Sequence, residues 1–155
     1  MNTEKLDLKR IDYGIIFSAI ATTLLAWVYV FVKYSKLPNQ IPSHFNAKGI
    51  VDDYSEKYYL WIVLLVFSAL QIFIYLIAKN TSIHNFRLKT KLANFRAIIV
   101  FTPLLGCLLL FIIHAIIQSS KGDFEYNSLI IPVIFGLTII TLIIMFSIIL
   151  KSNKA

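Results

Sequence analysis

Four stretches of this chain are each long enough to cross a bilayer, and none contains Asp, Glu, Lys or Arg. They run 13–32, 60–78, 97–117 and 129–150, which is 20, 19, 21 and 22 residues. At roughly 1.5 Å rise per residue, about 20 helical residues match a hydrocarbon core about 30 Å thick. Hydrocarbon offers no partner to a backbone amide, so each run must satisfy its own N–H and C=O groups as a helix. The last run holds sixteen Leu, Ile, Val or Phe residues. At roughly −0.3 to −0.6 kcal/mol each near the helix centre, these outweigh its Pro, Gly, Thr and Ser. The whole chain is 58% hydrophobic over 155 residues, more apolar surface than a soluble domain of this size can bury. The only cysteine, Cys107, lies inside the third run. No intrachain disulfide can form, and the residue is expected to act as a small packing group. The first run has basic residues before it, and Ala19-Ile20-Ala21 imitates a cleavage site. Cleavage there would leave an apolar stump of eleven residues, so a retained first helix is expected.

The net charge of +7 falls between the apolar runs, which makes it a signal for topology and not for nucleic acid. Lys5, Lys9 and Arg10 precede the first run, and Lys33, Lys36, Lys48 and Lys57 follow it. Lys79, Arg87, Lys89, Lys91 and Arg96 lie between the second and third runs, Lys121 in the third loop, and Lys151 and Lys154 in the tail. Both ends and the middle loop thus carry ten basic residues, against five in the other two loops. The positive-inside rule predicts both termini in the cytoplasm. The expected architecture is an all-α, integral membrane four-helix bundle. Its parts are a cytoplasmic N-terminus (1–12), spans at 13–32, 60–78, 97–117 and 129–150, extracytoplasmic loops at 33–59 and 118–128, a basic cytoplasmic loop at 79–96, and a cytoplasmic tail (151–155). The middle loop holds no acidic residue. It suits anionic lipid, at about 1 kcal/mol per basic residue near the surface. Alternatively, Arg87, Lys89 and Lys91 would dock a cytoplasmic regulator. His84, in the same loop, has no ligand-spaced companion and is expected to be solvated.

Gly14, Ser18, Thr22 and Ala26 recur every four residues along the first run. Small residues on one face permit the close backbone approach that membrane helices use for packing. That face is expected to meet another helix, of the same chain or of a second copy in a homodimer. Pro103, with Gly106 one turn later, predicts a kink, while Pro132 falls in a first turn, where a missing N–H costs little. Tyr29, Tyr58, Tyr59 and Trp61 are placed for an aromatic belt at one interface, and Tyr13 and Tyr75 at the other.

The first loop reads LPNQIPSHFNAKGIVDDYSEK over 37–57. Pro38 and Pro42 hold its start extended. Asn46-Ala47-Lys48-Gly49 is a turn signal, with Gly49 free to take positive φ. The flanking segments, Ile41–Phe45 and Ile50–Asp52, predict a short hairpin. Asp53 precedes Glu56 by three, an acidic variant of a capping box, which predicts that the second helix starts near Tyr54. The loop is therefore expected to be ordered over the helix ends.

The spacing of Pro38, Ile41, Pro42, His44, Phe45, Asn46, Gly49, Asp52, Tyr54 and Lys57 resembles the signature of a bacterial membrane domain at the N-terminus of SdpI-type immunity proteins. The resemblance covers the first two runs and their loop, and it implies a multi-pass protein of a bacterial cytoplasmic membrane. It implies protection of a bacterium against its own secreted, membrane-acting toxin peptide, recognised by the outer loop. It also implies a second role, in which the toxin-bound protein holds a transcriptional repressor at the membrane.

His114 is the strongly ionisable side chain within a run, and such groups are functional candidates. With His44, Asp52, Asp53, Asp123 and Glu125 it is expected near the outer leaflet, where His44 and His114 would be the ligands for a divalent metal. No metal-motif spacing supports such a site, and no cofactor is implied. The simpler roles are a hydrogen bond from His44 that fixes the loop and a His114 that reaches the interface. Nucleophile-elbow, zinc-protease, P-loop and dinucleotide patterns are absent, and no carboxylate lies within a run. The functional expectation is a non-enzymatic immunity protein acting through its outer loop. The alternatives are a signalling anchor that uses the basic middle loop and, third, a His-dependent metal-binding protein.

Overall fold

In the computed structural model, which describes residues 6–46, 48–80, 90–122 and 129–154, four long apolar helical units form the bundle. Helix α1 spans Arg10–Lys33 and ends in a 3-10 turn, Tyr34–Lys36. Strands β1 (Gln40–Phe45) and β2 (Val51–Glu56) form an antiparallel pair. Helix α2 runs Tyr59–Lys79, α3 Lys91–Ile99, α4 Phe101–Ser119 and α5 Ile130–Lys154. With α3 and α4 taken as one unit, 91–119, four helices are long and apolar enough to cross a membrane. Their outward faces are those of a lipid-solvated protein. Phe17, Leu24, Val28 and Phe31 on α1, Ile72 and Phe73 on α2, and Phe135, Ile143 and Phe146 on α5 are all exposed.

Two departures from expectation have a clear physical origin. The capping-box reading of Asp53 and Glu56 fails: Val51–Glu56 is a strand, and α2 starts at Tyr59. The cross-strand ladder with β1 takes up the backbone of this segment, and among the described residues the Asp53 carboxylate accepts from the neighbouring Tyr54 N–H (2.9 Å). The third helical unit also begins six residues earlier than its apolar run, at Lys91. Thr90 caps it, its hydroxyl accepting from the Ala93 N–H at 3.1 Å. The end of the basic loop is thus helical. Arg87, Lys89 and His84 lie outside the described residues.

The Pro103 disruption falls at Val100, where α3 passes into α4. Pro103 has no N–H for the Ile99 carbonyl and crowds it. The Thr102 hydroxyl donates to that carbonyl instead, at 2.7 Å. Gly106 has a different role from the one expected. A Cβ on it would lie 2.0 Å from Thr22 Oγ1 and 2.9 Å from Thr22 Cβ. The missing side chain is what allows α1 and α4 to approach so closely.

The small-residue stripe of α1 is used in part, and within the chain. Thr22 meets α4 at Gly106 and Ala26 is fully buried, but Gly14 is exposed with open space around it, and Ser18 is half-buried. Residues four apart on a helix drift by about 40° per step, at roughly 100° per residue. Over three steps the stripe turns about 120° away from the contact face. The buried line is Ala19, Thr23, Ala26 and Val30, whose spacing of four, three and four keeps it on one face.

Two apolar clusters lie toward opposite ends of the bundle. One gathers Ala26, Val30, Leu37, Ile41, Leu60, Leu64, Leu109 and Ile113, and so includes residues from the hairpin arm. The other gathers Ala78, Phe95 and Ile99, with Leu6, Ile16 and Tyr75 packed against them. Between them lies a polar node. Thr23 Oγ1 donates to Gln71 Oε1 (2.6 Å), and Gln71 Nε2 donates to the Thr102 carbonyl (3.1 Å). At the end away from the hairpin, buried Asp12 is held by Arg96. Nε reaches Oδ1 at 2.6 Å and Nη2 reaches Oδ2 at 2.9 Å, while the Lys9 backbone N–H donates at 2.8 Å.

Candidate functional site

The hairpin is the most chemically varied part of the described structure. It begins where α1 ends. Leu37 turns inward and is buried, Pro38 is exposed, and Ile41 and Pro42 are buried against the bundle. Two adjacent buried residues depart from the in-and-out burial of a half-exposed strand, where side chains alternate. The register is regular up to Pro42 and shifts after it. Gln40, Ile41 and Pro42 face Glu56, Ser55 and Tyr54, then His44 faces Asp53 and Phe45 faces Val51. Ser43 is therefore an extra residue in β1 and Asp52 an extra residue in β2. The two bulges cancel, so the pairing offset is the same at both ends of the ladder. Bulges re-aim side chains, and the one at Ser43 puts His44 on the opposite face from buried Pro42.

Asn46 organises the turn. Its Oδ1 accepts from the N–H groups of Lys48 (2.8 Å) and Ile50 (3.1 Å), and its own N–H donates to the Ile50 carbonyl (2.9 Å). The Gly49 N–H donates to the Asn46 carbonyl at 2.8 Å, with Gly49 at φ 76°. A side chain there would be strained.

His44 Nδ1 and Asp52 Oδ1 are 2.5 Å apart, with side chains 65% and 43% exposed. An exposed pair of this kind contributes little to stability, so it is presented to the surroundings more than it holds the fold. Tyr54 is likewise exposed, across the ladder from buried Pro42. Phe45 is half-buried against the core. Lys57 closes the base: its N–H donates to the Asn39 carbonyl at 2.8 Å, and its ammonium lies 3.5 Å from the Leu37 carbonyl and 5.3 Å above the Tyr34 ring. Tyr34 continues to Trp61 (5.0 Å between centroids), Trp61 to Trp27 (6.0 Å), and Trp27 Nε1 donates to Ser68 Oγ at 3.0 Å. Trp61 thus packs inward as well as standing near a helix end.

The signature residues therefore divide. Ile41, Pro42, Phe45, Asn46, Gly49 and Lys57 build and seat the hairpin. Pro38, His44, Asp52 and Tyr54 are displayed on it. The other metal candidate, His114, has a different partner, as its Nδ1 lies 3.1 Å from Tyr29 Oη with the rings stacked at 5.9 Å. That pair lines an apolar groove with Cys107, Leu110 and Phe111. Among the described residues, no group of three His, Cys, Asp or Glu side chains could hold a metal ion. Asp123 and Glu125 lie outside those residues. Lys91 is the half-buried first residue of α3.

Sequence reasoning missed the Asp12–Arg96 pair and the Gln71 node. Their signals are visible in retrospect: Asp12 abuts the first apolar run, Arg96 abuts the third, and Gln71 is the amide side chain in the second.

The family described as "Domain of unknown function (DUF1648)" matches residues 21–70, from the middle of α1 through the hairpin into α2. A protein of Archaeoglobus fulgidus described as "Uncharacterized protein" is 40% identical over 60 residues, which is 39% of this chain. The match spans about a third (32%) of that relative's length. No solved structure gives a significant match. The hairpin lies wholly within the matched family region, while His114, Asp12 and Arg96 lie outside it.

Proposed function

We propose that this integral, multi-pass membrane protein is a non-enzymatic immunity factor. It binds a secreted, membrane-active antimicrobial peptide on the exposed face of its hairpin, in the manner implied by its resemblance to SdpI-type proteins. Both termini lie in the cytoplasm and the hairpin faces outward, as the basic residues direct. The observation that carries this reading is the division within the hairpin. Buried Ile41 and Pro42 anchor it, while His44, Asp52 and Tyr54 stay exposed on a rigid support. Such preorganisation lowers the ordering cost of binding. The test is survival of a sensitive bacterium expressing the parent or His44→Ala at matched membrane levels, challenged with a peptide of the kind that SdpI-type proteins resist. Protection by the parent and loss in the variant is the expected result. Failure of the parent to protect would overturn the reading.

A second reading, a signalling anchor, is favoured by one connection. Helix α1 runs from the hairpin to Asp12, whose ion pair grips Arg96 on α3, directly after the basic segment that contains Arg87, Lys89 and Lys91. Movement of α1 would thus be felt beside that segment. Pull-down of a cytoplasmic regulator that is lost when Arg87, Lys89 and Lys91 become Gln would support it, and retained binding would count against it.

A further inference from the structure

A mixed-charge cavity of about 320 Å³ lies at the base of the hairpin, lined by Tyr34, Asn39, Gln40, Glu56, Lys57 and Tyr58. Its walls are fixed by backbone bonding. Gln40 pairs with Glu56 at the end of the ladder, and the Lys57 N–H reaches the Asn39 carbonyl. Lys57 is half-buried, and its ammonium, which has three protons to donate, meets among the described residues the Leu37 carbonyl at 3.5 Å and the Tyr34 ring. Among the described residues, the side chains of Asn39, Gln40 and Glu56 have no polar partner. The cavity therefore offers one cation, one carboxylate and two amides, between two tyrosine rings. An anionic group would fit at Lys57 and the amides, and an ammonium at Glu56.

The position of the cavity identifies what carries these charges. Tyr34 follows directly on the end of α1, and Lys57 and Tyr58 directly precede α2. Helix α2 has 21 residues, about 31 Å at roughly 1.5 Å each, which matches a hydrocarbon core of about 30 Å. The cavity thus sits just beyond the hydrocarbon edge, at headgroup depth. Tyr58 in its lining is 54% exposed, as suits an aromatic residue at that boundary.

We infer that this cavity is a phospholipid headgroup site with a preference for a phosphate joined to a primary ammonium, as in phosphoethanolamine lipids. Lys57 takes the phosphate and Glu56 the ammonium. The inference does not depend on the immunity reading, because membrane lipid is present whatever the hairpin meets.

The test uses the full chain in detergent and its tryptophan fluorescence, since Trp61 lies 5.0 Å from the Tyr34 wall. Dihexanoyl phosphatidylethanolamine should give a saturable change, with dihexanoyl phosphatidylglycerol about tenfold weaker. Lys57→Gln should weaken the ethanolamine lipid by about tenfold, and Lys57→Arg should restore most of it. Glu56→Gln, at an exposed side chain with no polar partner among the described residues, should bring the ethanolamine lipid down to the level of the glycerol lipid. A response that rises linearly without saturation, or is unchanged in both Gln variants, would overturn the inference. Soluble phosphoethanolamine binding as tightly as the lipid would also overturn it, by assigning the site to a free ligand.

Discussion

Replacing Gly106 with Ala tests the close contact between α1 and α4 at Thr22. The new Cβ would lie 2.0 Å from Thr22 Oγ1 and 2.9 Å from Thr22 Cβ, against about 3.5–4.0 Å for an ordinary carbon contact. Thr22 cannot easily yield, because its hydroxyl lies 2.9 Å and 3.0 Å from the Ser18 and Ala19 carbonyls and its Cβ is fixed to the α1 backbone. The helices would have to separate by about 1 Å. Overpacking of this severity costs about 3 kcal/mol, and the better helix propensity of Ala returns about 1 kcal/mol. The expected net loss is about 2 kcal/mol, measured as unfolding in mixed micelles by the fluorescence of Trp27 and Trp61. Gly14→Ala is the matched control, because nothing lies within 4 Å of its Cβ position. It should be neutral, or more stable by up to about 1 kcal/mol. Thr22→Gly removes both clashing atoms, so the double variant should be more stable than Gly106→Ala alone by about 1–2 kcal/mol. Thr22→Ala should rescue less, because its Cβ remains. If Gly106→Ala behaved like Gly14→Ala, or if the two substitutions were additive, the close approach of α1 and α4 would be refuted.

Two further perturbations address the two ends of the molecule. Asp12→Asn should cost about 3 kcal/mol, the low end for breaking a buried pair, because the Arg96 side chain is a quarter exposed (25%). Adding Arg96→Gln should recover part of that loss in the same unfolding assay, and no recovery would mean that Arg96 was never left uncompensated. Asn46→Ala removes the acceptor for the Lys48 and Ile50 N–H groups. At about 1 kcal/mol, or a factor of roughly five, their amide exchange should speed up while the cluster around Trp27 and Trp61 stays protected. Unchanged exchange would show that the turn stands without its side-chain bonds.

Much of the fold is legible in one dimension because the bilayer imposes a one-dimensional rule. Charge-free runs of about 20 residues have few alternatives to a spanning helix. The turn at Asn46–Gly49 is legible for a similar reason, since local chemistry decides it. Where two local signals competed, pattern reading failed. Asp53 and Glu56 have the spacing of a helix cap, but the partner strand at 40–45 claims that backbone. The candidate site was legible as a list and not as an arrangement. His44, Asp52 and Lys57 stand in the signature, but only their burial in the folded hairpin shows which residues seat it and which it displays.

Hydrophobicity and torsional preference within short windows thus set the solvent, the number of long apolar helices and the turn between the strands, all of them readable along the chain. Which polar groups meet depends on how the helices pack. Asp12 finds Arg96 across 84 residues, Tyr29 finds His114 across 85, and Thr23 finds Gln71 across 48. In hydrocarbon a lone polar group is costly and the available partners are few. The pairing is therefore selective, and it is set by which helix faces come together and not by distance along the chain.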